Sequence, residues 1–210
     1  VTIKIKIFFN IYIMIGQLIL ENGSVYEGKS FGFNECVSGE VVFSTNMTGY
    51  TESFTDPSFC DQILCLTYPL IGNYGIPSEK TTDTNNLLVN LESSNIWIRA
   101  LLVADYSKEF SHYNAEKSLS EWLISNKVPA LTEIDTRRLT KELRSNGSLK
   151  GKIVFGEKDI DFVDINKYNL VEKVTCKEPY TLGDGDLHIA VIDCGIKLNI
   201  LRNLLKQGFK

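Results

Sequence analysis

Two short apolar runs separated by a polar crossing dominate the pattern between residues 39 and 75. Val41-Val42-Phe43 and Ile63-Leu64-Cys65-Leu66 are bounded by Gly, Pro or Asn, which predicts two buried strands. The crossing is rich in Thr and Ser and carries turn signals at Gly49-Tyr50 and Asp56-Pro57-Ser58. Because so polar a segment must leave the sheet, we expect it to place hydroxyls and a carboxylate at one rim. The alternative is that it only connects the two strands.

The chain before this stretch carries a hairpin signal and an ambiguous apolar beginning. Asn22-Gly23 lies between two apolar segments and predicts a two-residue type I′ turn. Residues 1–13 place two lysines before an apolar run, but the small-residue cleavage pattern of a secretory leader does not follow. We interpret them as an extension, or a mistranslated upstream flank, before a natural start at Met14. If ordered, they would form an edge strand guarded by lysines.

Downstream of residue 71 the pattern predicts a turn, further strands and a first amphipathic helix. Gly72-Asn73-Tyr74-Gly75 lacks the Gly-Lys-Ser/Thr ending of a P-loop, so we interpret it as a turn and not as a phosphate cradle. Ile96-Trp97-Ile98 and residues 100–104 predict strands. Asn114 can cap a helix whose apolar face is formed by Leu119, Trp122 and Leu123.

A second helix is predicted a few residues later. Asp135 or Thr136 would cap it, and Leu139 and Leu143 would be its buried pair. Its other faces carry four cations, namely Arg137, Arg138, Lys141 and Arg144. These form either a solvated face, in which an Arg138–Glu142 pair adds a few tenths of a kcal/mol, or a docking surface for a partner.

The pattern changes after residue 160. Residues 161–186 lose their apolar period and end in a Gly/Asp-rich stretch, which predicts a linker region. Residues 188–192 then predict a buried strand and Asp193-Cys194-Gly195 a turn, followed by a helix lined by Leu198, Leu201, Leu204 and Leu205. Strand, turn and helix of this kind open a parallel α/β sheet. Because one such unit has nothing to pack against, we expect it to be the truncated start of a second domain.

Composition narrows the classes of function. The 210 residues are 43% hydrophobic and 23% charged, with a net charge of −4, which argues against a nucleic-acid partner. No apolar run reaches the roughly 18–20 residues of a membrane span. The five cysteines are odd in number and lack C-x-x-C spacing. We therefore expect reduced thiols, most of them in the core of a cytoplasmic protein, and neither a disulfide framework nor a zinc site.

Four segments of the sequence carry a family resemblance. They are GEVVFSTNMTGYTESFTDPSF, ILCLTYPLIGNYG, PALTEIDTRRLTKELRSNG and VIDCGIKLNILRNLLKQG. In this order and spacing they resemble the small, glutamine-dependent subunit of carbamoyl-phosphate synthetase, over roughly Leu18 to the C-terminus. The resemblance implies an α/β protein with a mixed-sheet β/β/α-type domain at 14–160 and a linker region at 161–186. Residues 187–210 would be the truncated start of a flavodoxin-like class I glutamine amidotransferase domain.

The same resemblance implies a function. The whole protein would hydrolyse glutamine and pass ammonia to a synthetase partner, either a large subunit or fused domains, which uses bicarbonate, ATP and Mg. The product would serve pyrimidine or arginine biosynthesis. The segment in hand would be scaffold, synthetase-docking surface and one wall of the glutamine pocket, with no cofactor of its own. The alternative is a non-catalytic docking module of an ammonia-dependent synthetase.

The resemblance carries one binding residue onto this sequence and no catalytic one. In the family, the Ser of Thr-Asp-Pro-Ser contacts glutamine held in the neighbouring amidotransferase domain, and here that residue is Ser58. The alternative is that its hydroxyl only closes the Asp56-Pro57 turn. The family's cysteine nucleophile and its histidine lie further downstream, so we expect Cys194 to be structural and Cys60 and Cys65 to be core residues. The 210-residue segment alone should then be inactive.

Overall fold

The computed structural model describes residues 14–210, and within that range it contains eleven strands, five α-helices and two 3₁₀ turns. The extension and the edge strand predicted at residues 1–13 lie outside the described residues. The strands are β1 (Ile15–Leu20), β2 (Val25–Ser30), β3 (Val37–Ser44), β4 (Gln62–Leu66), β5 (Leu70–Ile71), β6 (Ile76–Pro77), β7 (Ala100–Leu102), β8 (Asp105–Tyr106), β9 (Ala115–Lys117), β10 (Ala130–Thr132) and β11 (Leu149–Phe155). The helices are α1 (Tyr50–Phe54), α2 (Leu119–Ser125), α3 (Thr136–Asn146), α4 (Leu170–Val174) and α5 (Leu198–Lys206).

Seven strands close into a barrel in the order β1-β11-β3-β4-β7-β10-β2. The pairs β3–β4, β4–β7 and β7–β10 are parallel, and the other four pairs are antiparallel. The predicted mixed α/β architecture is therefore confirmed, but the sheet is closed. Closure brings β2 against β10, where a Cβ on Gly28 would lie 2.6 Å from the carbonyl oxygen of Thr132. Only glycine permits so close an approach of the two backbones.

Alternate residues of each strand point into the barrel or out of it. Along β4, Ile63 and Cys65 join the interior cluster, whereas Leu64 and Leu66 join a second cluster outside the barrel. Both apolar runs of the central stretch are strands, as predicted. The outer cluster is covered by α1 and α2, whose Phe54 and Trp122 rings lie 6.3 Å apart between centroids.

The predicted hairpin is present, but its turn differs from the prediction. The Leu20 N–H donates to the Ser24 carbonyl at 2.9 Å, and the Gly23 N–H donates to the Leu20 carbonyl at 2.9 Å. Gly23 has φ +88°, whereas Asn22 does not have a positive φ. The loop therefore has three residues, a turn followed by a left-handed glycine, and the two-residue type I′ turn is wrong.

The first predicted helix begins four residues later than expected. Ser118, not Asn114, caps α2: its hydroxyl accepts the Glu121 N–H, and the Glu121 carboxylate accepts the Ser118 N–H at 2.8 Å. This capping box satisfies two backbone donors at once. The segment just before it forms β9, paired with β6. The apolar face of the helix is buried as predicted.

Helix α3 follows its prediction. The Asp135 carboxylate accepts the Arg138 N–H at 2.9 Å, and Leu139 and Leu143 are buried in the interior cluster of the barrel. The ion pair considered between Arg138 and Glu142 is not formed in the part of the chain that the structure describes. Instead, the Arg138 guanidinium lies 4.7 Å from the centroid of the Tyr26 ring. The Glu142 carboxylate accepts hydrogen bonds from three residues of the hairpin, namely Asn22, Ser24 and Tyr26.

Two predicted strands are not strands in the structure. Residues 96–98 are irregular, although the Trp97 N–H donates to the Phe54 carbonyl at 2.8 Å. Residues 188–192 are also irregular, and Ile192 is 89% exposed. A buried parallel strand needs partners on both sides. Among residues 14–210 this run is bonded on one side only, where the Ile189 N–H donates to the Lys210 carbonyl at 2.8 Å. The helix predicted after it is present as α5.

The segment predicted as a linker contains a 3₁₀ turn at Ile165–Lys167 and helix α4. Lys173 of α4 forms an ion pair with Asp61. This segment is thus attached to the barrel by a polar contact. None of the helices described is long and apolar enough to cross a membrane.

The Leu139→Ala substitution tests the role of α3 in the barrel core. Leu139 is fully buried, so the change removes apolar contacts and leaves a cavity, and we expect a loss of about 2–5 kcal/mol in the free energy of unfolding. Urea denaturation followed by tryptophan fluorescence measures it. Arg137→Ala, on the exposed face of the same helix, is the matched control and should change stability by less than about 0.5 kcal/mol. Equal losses in both variants would contradict the packing described.

Candidate functional site

Ser58 lies on the 3₁₀ turn Pro57–Phe59 that ends the crossing from β3 to β4. Its side chain is exposed. The Asp56 carboxylate closes the turn by accepting the backbone N–H of Ser58 at 2.9 Å. The Ser58 hydroxyl makes no hydrogen bond to any residue in the described range 14–210, so the turn does not depend on it. The hydroxyl remains available to a ligand.

The rest of the crossing is more buried than its polarity suggests. Thr51, Ser53 and Thr55 are all buried. The Ser53 and Thr55 hydroxyls donate to backbone carbonyls one turn earlier, as Thr55 does to the Thr51 carbonyl at 2.8 Å, whereas the Thr51 hydroxyl donates to the Glu52 carboxylate at 2.7 Å. The middle of the crossing therefore does not supply the hydroxyls expected at a rim, because these groups are buried with a short packed helix. The crossing presents polar side chains outward at its beginning, where Thr45, Asn46 and Thr48 are exposed, and again at Ser58 near its end.

An ion pair with a buried carboxylate joins the crossing to residues 187–210, which we call the C-terminal part. Lys197 Nζ lies 2.6 Å from Asp56 Oδ2, and the Asp56 side chain is only 9% exposed. A carboxylate this buried needs a compensating charge, and Lys197 supplies it. Close packing accompanies the pair, since a Cβ on Gly195 would lie 3.1 Å from the Cβ of Pro57. Ser58 thus lies next in sequence to a residue in contact with the 193–195 turn.

Asp193 organises that turn. Its carboxylate accepts the backbone N–H groups of Gly195 and Ile196, both at 2.8 Å, and of Cys176 at 2.7 Å. Burial opposes ionisation of the carboxyl, but these three donors outweigh burial and hold the pKa of Asp193 below its ordinary value. Cys194 at the tip is exposed. The turn is therefore held by Asp193 and the backbone.

Two cavities lie beside this junction. One, of about 400 Å³, is lined by Pro57, Glu92, Trp97, Val174 and Asp193, among others, and so combines the barrel domain with the C-terminal part. The other, of about 810 Å³, is lined by residues 175–182, 188–193 and the apolar side of α5. Ser58 lines neither cavity. Exposed apolar side chains, including Ile189, Val191 and Ile192, line the larger one.

The cysteines divide into two groups. Cys60 and Cys65 are buried, as predicted for core residues, and burial raises the pKa of the Cys65 thiol to about 12. Cys176 and Cys194 are exposed and Cys36 is half-buried. The expectation that most of the five fill core space is therefore wrong. No group of three or more His, Cys, Asp or Glu in residues 14–210 could hold a metal ion.

The cations of α3 form a second candidate site. Arg137, Lys141 and Arg144 are exposed, and none of them lies within 4.0 Å of a carboxylate in the described chain. Arg138 is held against Tyr26. We call these four residues the α3 basic face. It is a rigid cluster of positive charge on a chain of net charge −4.

Sequence reasoning missed the residues that build the junction. The sequence analysis used Asp193 only as part of a predicted turn. Asp side chains often accept the backbone N–H two or three residues further on, and this rule could have identified its role. Lys197 carried no local signal, because its partner Asp56 is more than a hundred residues away in sequence.

Comparison with known proteins shows which family and which relatives this chain is similar to. The model of the carbamoyl-phosphate synthase small chain, CPSase domain, matches residues 18–153. A mitochondrial carbamoyl-phosphate synthase [ammonia] of Aquarana catesbeiana is 50% identical over 91% of this chain and 13% of its own length. The arginine-specific small chain of Schizosaccharomyces pombe is 47% identical over 92% of this chain and 48% of its own length. The multifunctional protein pyr1-3 of Dictyostelium discoideum is 45% identical over 92% of this chain and 9% of its own length. The chain thus spans half or less of the length of these relatives.

The Asp193 carboxylate should make stability depend on pH. Because its folded pKa is depressed, its contribution is complete above the unfolded value of about 3.9 and is lost as pH falls through the folded value. Asp193→Asn should therefore be less stable than the wild type at pH 7, by an amount that shrinks below about pH 4. Urea unfolding of both proteins across this range measures the difference. A difference that grows on acidification would contradict the assignment.

Proposed function

The chain belongs to the carbamoyl-phosphate synthase small-chain family, and we propose that it forms the N-terminal part of the glutaminase component of that enzyme. The whole enzyme would hydrolyse glutamine and use the ammonia, with bicarbonate and ATP, to make carbamoyl phosphate. The observation that carries the proposal is the family match over residues 18–153. In this role the barrel domain is scaffold, docking surface and one wall of the glutamine pocket.

We propose Ser58 as the glutamine-binding residue of this wall. Its hydroxyl is exposed, offers one donor and two acceptor sites, and forms no bond within residues 14–210. The turn that carries it is held by Asp56, whose other oxygen is paired with Lys197. Ser58 directly follows Asp56 and Pro57, which lie against Lys197 and Gly195, and a junction of two domains is a common place for a ligand.

We propose that residues 187–210 open a flavodoxin-like amidotransferase domain. Leu187 and Phe209 form a parallel bridge, with the Lys210 N–H donating to the Leu187 carbonyl at 2.8 Å. The chain segments before and after α5 therefore run in the same direction, as in a βαβ unit. Such a domain would continue the sheet beside residues 188–192 and cover their exposed apolar side chains.

A second candidate function is a docking module without glutaminase activity, in an enzyme that uses free ammonia. The observation that favours it is the 50% identity to a relative whose name specifies ammonia. The two candidates differ in whether the full-length protein has the downstream cysteine and histidine of a glutaminase. We propose the glutamine-dependent function as the first candidate, with Cys194 in a structural role and residues 1–210 inactive by themselves.

The partner would be the synthetase, as a separate large subunit or as fused domains, and it would carry ATP and Mg. The relatives include both small chains and much longer proteins. Their names include arginine-specific enzymes, which makes arginine biosynthesis the first candidate pathway and pyrimidine biosynthesis the second. We propose a cytoplasmic location without a nucleic-acid or membrane partner.

We propose the α3 basic face as part of the synthetase-docking surface. Its cations are fixed on an 11-residue helix whose opposite side is buried in the barrel. A partner with carboxylates at this position would gain attraction without reordering the helix. The basic face and Ser58 belong to different elements, α3 and the 3₁₀ turn before β4.

Ser58→Ala tests the glutamine contact in the full-length protein with its synthetase partner. The change removes one hydrogen bond worth roughly 0.5–1.5 kcal/mol, or about 1.5–3 kcal/mol with a charged partner. We expect kcat/KM for glutamine to fall between about twofold and a hundredfold. Synthesis from added ammonia bypasses the pocket and should not change. A parallel loss in both assays would make Ser58 a structural residue, and no loss in either would exclude it from the pocket.

Lys141→Glu tests the docking surface. Reversing one charge of the α3 basic face should weaken binding to the separately produced synthetase by about tenfold at low salt, and the effect should shrink as salt screens it. Lys108→Glu makes the same change of charge at another exposed position and serves as the control. Titration calorimetry at two salt concentrations measures both. Equal effects of the two variants would leave α3 as a solvated face.

A further inference from the structure

Helix α5 is capped by a residue from outside its own segment. Its first N–H groups have no side-chain cap within the segment itself. The Leu198 N–H donates to the Glu92 carbonyl at 2.9 Å, and the Asn199 N–H donates to the Glu92 carboxylate at 2.9 Å. Helix N–H groups without partners carry a cost, and a carboxylate at this end also complements the helix dipole. The first helix of the C-terminal part thus depends on the barrel domain for its start.

Arg202 fixes the same helix one turn further along. Its guanidinium lies in a half-buried position, 17% exposed at the side chain, with Nε 3.4 Å from Asp83 Oδ2. It also donates to the backbone carbonyls of Leu88 and Leu91, the latter at 3.4 Å. A planar guanidinium that satisfies three acceptors has one allowed orientation. Arg202 therefore sets the rotation and position of α5 against residues 83–92.

The segment that receives α5 is itself well defined. The Asp83 carboxylate accepts the N–H groups of Asn85 and Leu87 at 2.8 and 3.0 Å. Burial opposes ionisation of this carboxyl, but these donors and the Arg202 charge hold its pKa below the ordinary value. Asp83 is thus held by its own segment at the place where Arg202 meets it. We call residues 83–92 the docking segment.

The docking segment is also bonded to the turn that carries Ser58. The Glu92 N–H donates to the Thr55 hydroxyl at 2.9 Å, and the Ser93 hydroxyl donates to the Thr55 carbonyl at 2.7 Å. Thr55 is almost fully buried and immediately precedes the turn of Asp56 and Ser58. A continuous set of hydrogen bonds therefore runs from α5 through Glu92 and Thr55 to the Ser58 turn.

We propose that Glu92 and Arg202 are positioning residues, which hold the amidotransferase part through α5 so that the glutamine bound there meets Ser58. The inference rests on the proposed function, because it needs a glutamine pocket on the far side of the junction. Both residues act through α5, whose first turn Glu92 caps and whose rotation Arg202 sets. Their effect is to set the distance between two walls of one pocket, where an error of about 1 Å is enough to impair binding and chemistry.

Arg202→Ala in the full-length enzyme with its synthetase partner tests the proposal. Loss of the three contacts should let α5 shift and raise the KM for glutamine on the order of tenfold, with synthesis from ammonia unchanged. Glu92→Ala should also raise the KM for glutamine. Arg202→Lys keeps the charge beside Asp83 but not the forked contacts, so it should recover part of the loss. Steady-state kinetics with glutamine and with ammonia measures each variant.

Lys206→Ala is the matched control, since Lys206 is exposed on α5 and bonds to no residue in the range 14–210. It should leave both assays unchanged. A purely structural role of Arg202 would reduce the amount of active enzyme and lower kcat at constant KM, which would overturn the proposal. So would a KM within about twofold of the wild type, or a parallel loss with ammonia. A wild type that uses only ammonia would overturn the proposed function, and the inference with it.

Discussion

The parallel pairing of β3 with β4 is the constraint on which the rest of the molecule depends. Two neighbouring strands that run in the same direction cannot be joined by a tight turn and need a crossover of about a dozen residues or more. Here the crossover is residues 45–61. It buries Tyr50 and Phe54 against the outside of the barrel, so its path is fixed by apolar packing. The polar residues at its end are consequently delivered to one place on the surface.

The buried carboxylate at that place needs a compensating charge, and this requirement links the two parts of the chain. Asp56 closes its own turn with one oxygen and is too buried to be left without a counter-charge. Lys197 meets the requirement from the C-terminal part. Removing Lys197 would cost more than the pair itself contributes, because the Asp56 charge would stay buried. The ion pair therefore acts mainly to specify how the two parts meet.

The spacing of apolar residues along the chain was enough to predict those strands and helices that bury one regular apolar face. The strands around Val41 and Ile63 and the helix with Leu139 and Leu143 follow directly from apolar spacing. Closure of the barrel could not be predicted, because it depends on β1 pairing with β11 at the far end of the domain. The strand expected at residues 188–192 failed for a related reason, since its apolar pattern describes a buried environment that this part of the chain does not supply. Ser58 came from family resemblance alone, and no physical signal in the sequence distinguishes it from other turn serines.

The junction is polar on the side of the barrel and apolar on the opposite side, and this difference has a physical meaning. Apolar burial stabilises without fixing an angle, because it has no preferred direction. Hydrogen bonds and forked ion pairs weaken steeply when they are misaligned. The contacts of Glu92, Arg202 and Lys197 therefore determine the orientation of α5, whereas the exposed apolar residues from 187 to 192 can contribute stability to whatever sheet covers them. A wall residue such as Ser58 benefits from the first kind of contact, since its hydrogen bond to a ligand depends on orientation as much as on proximity.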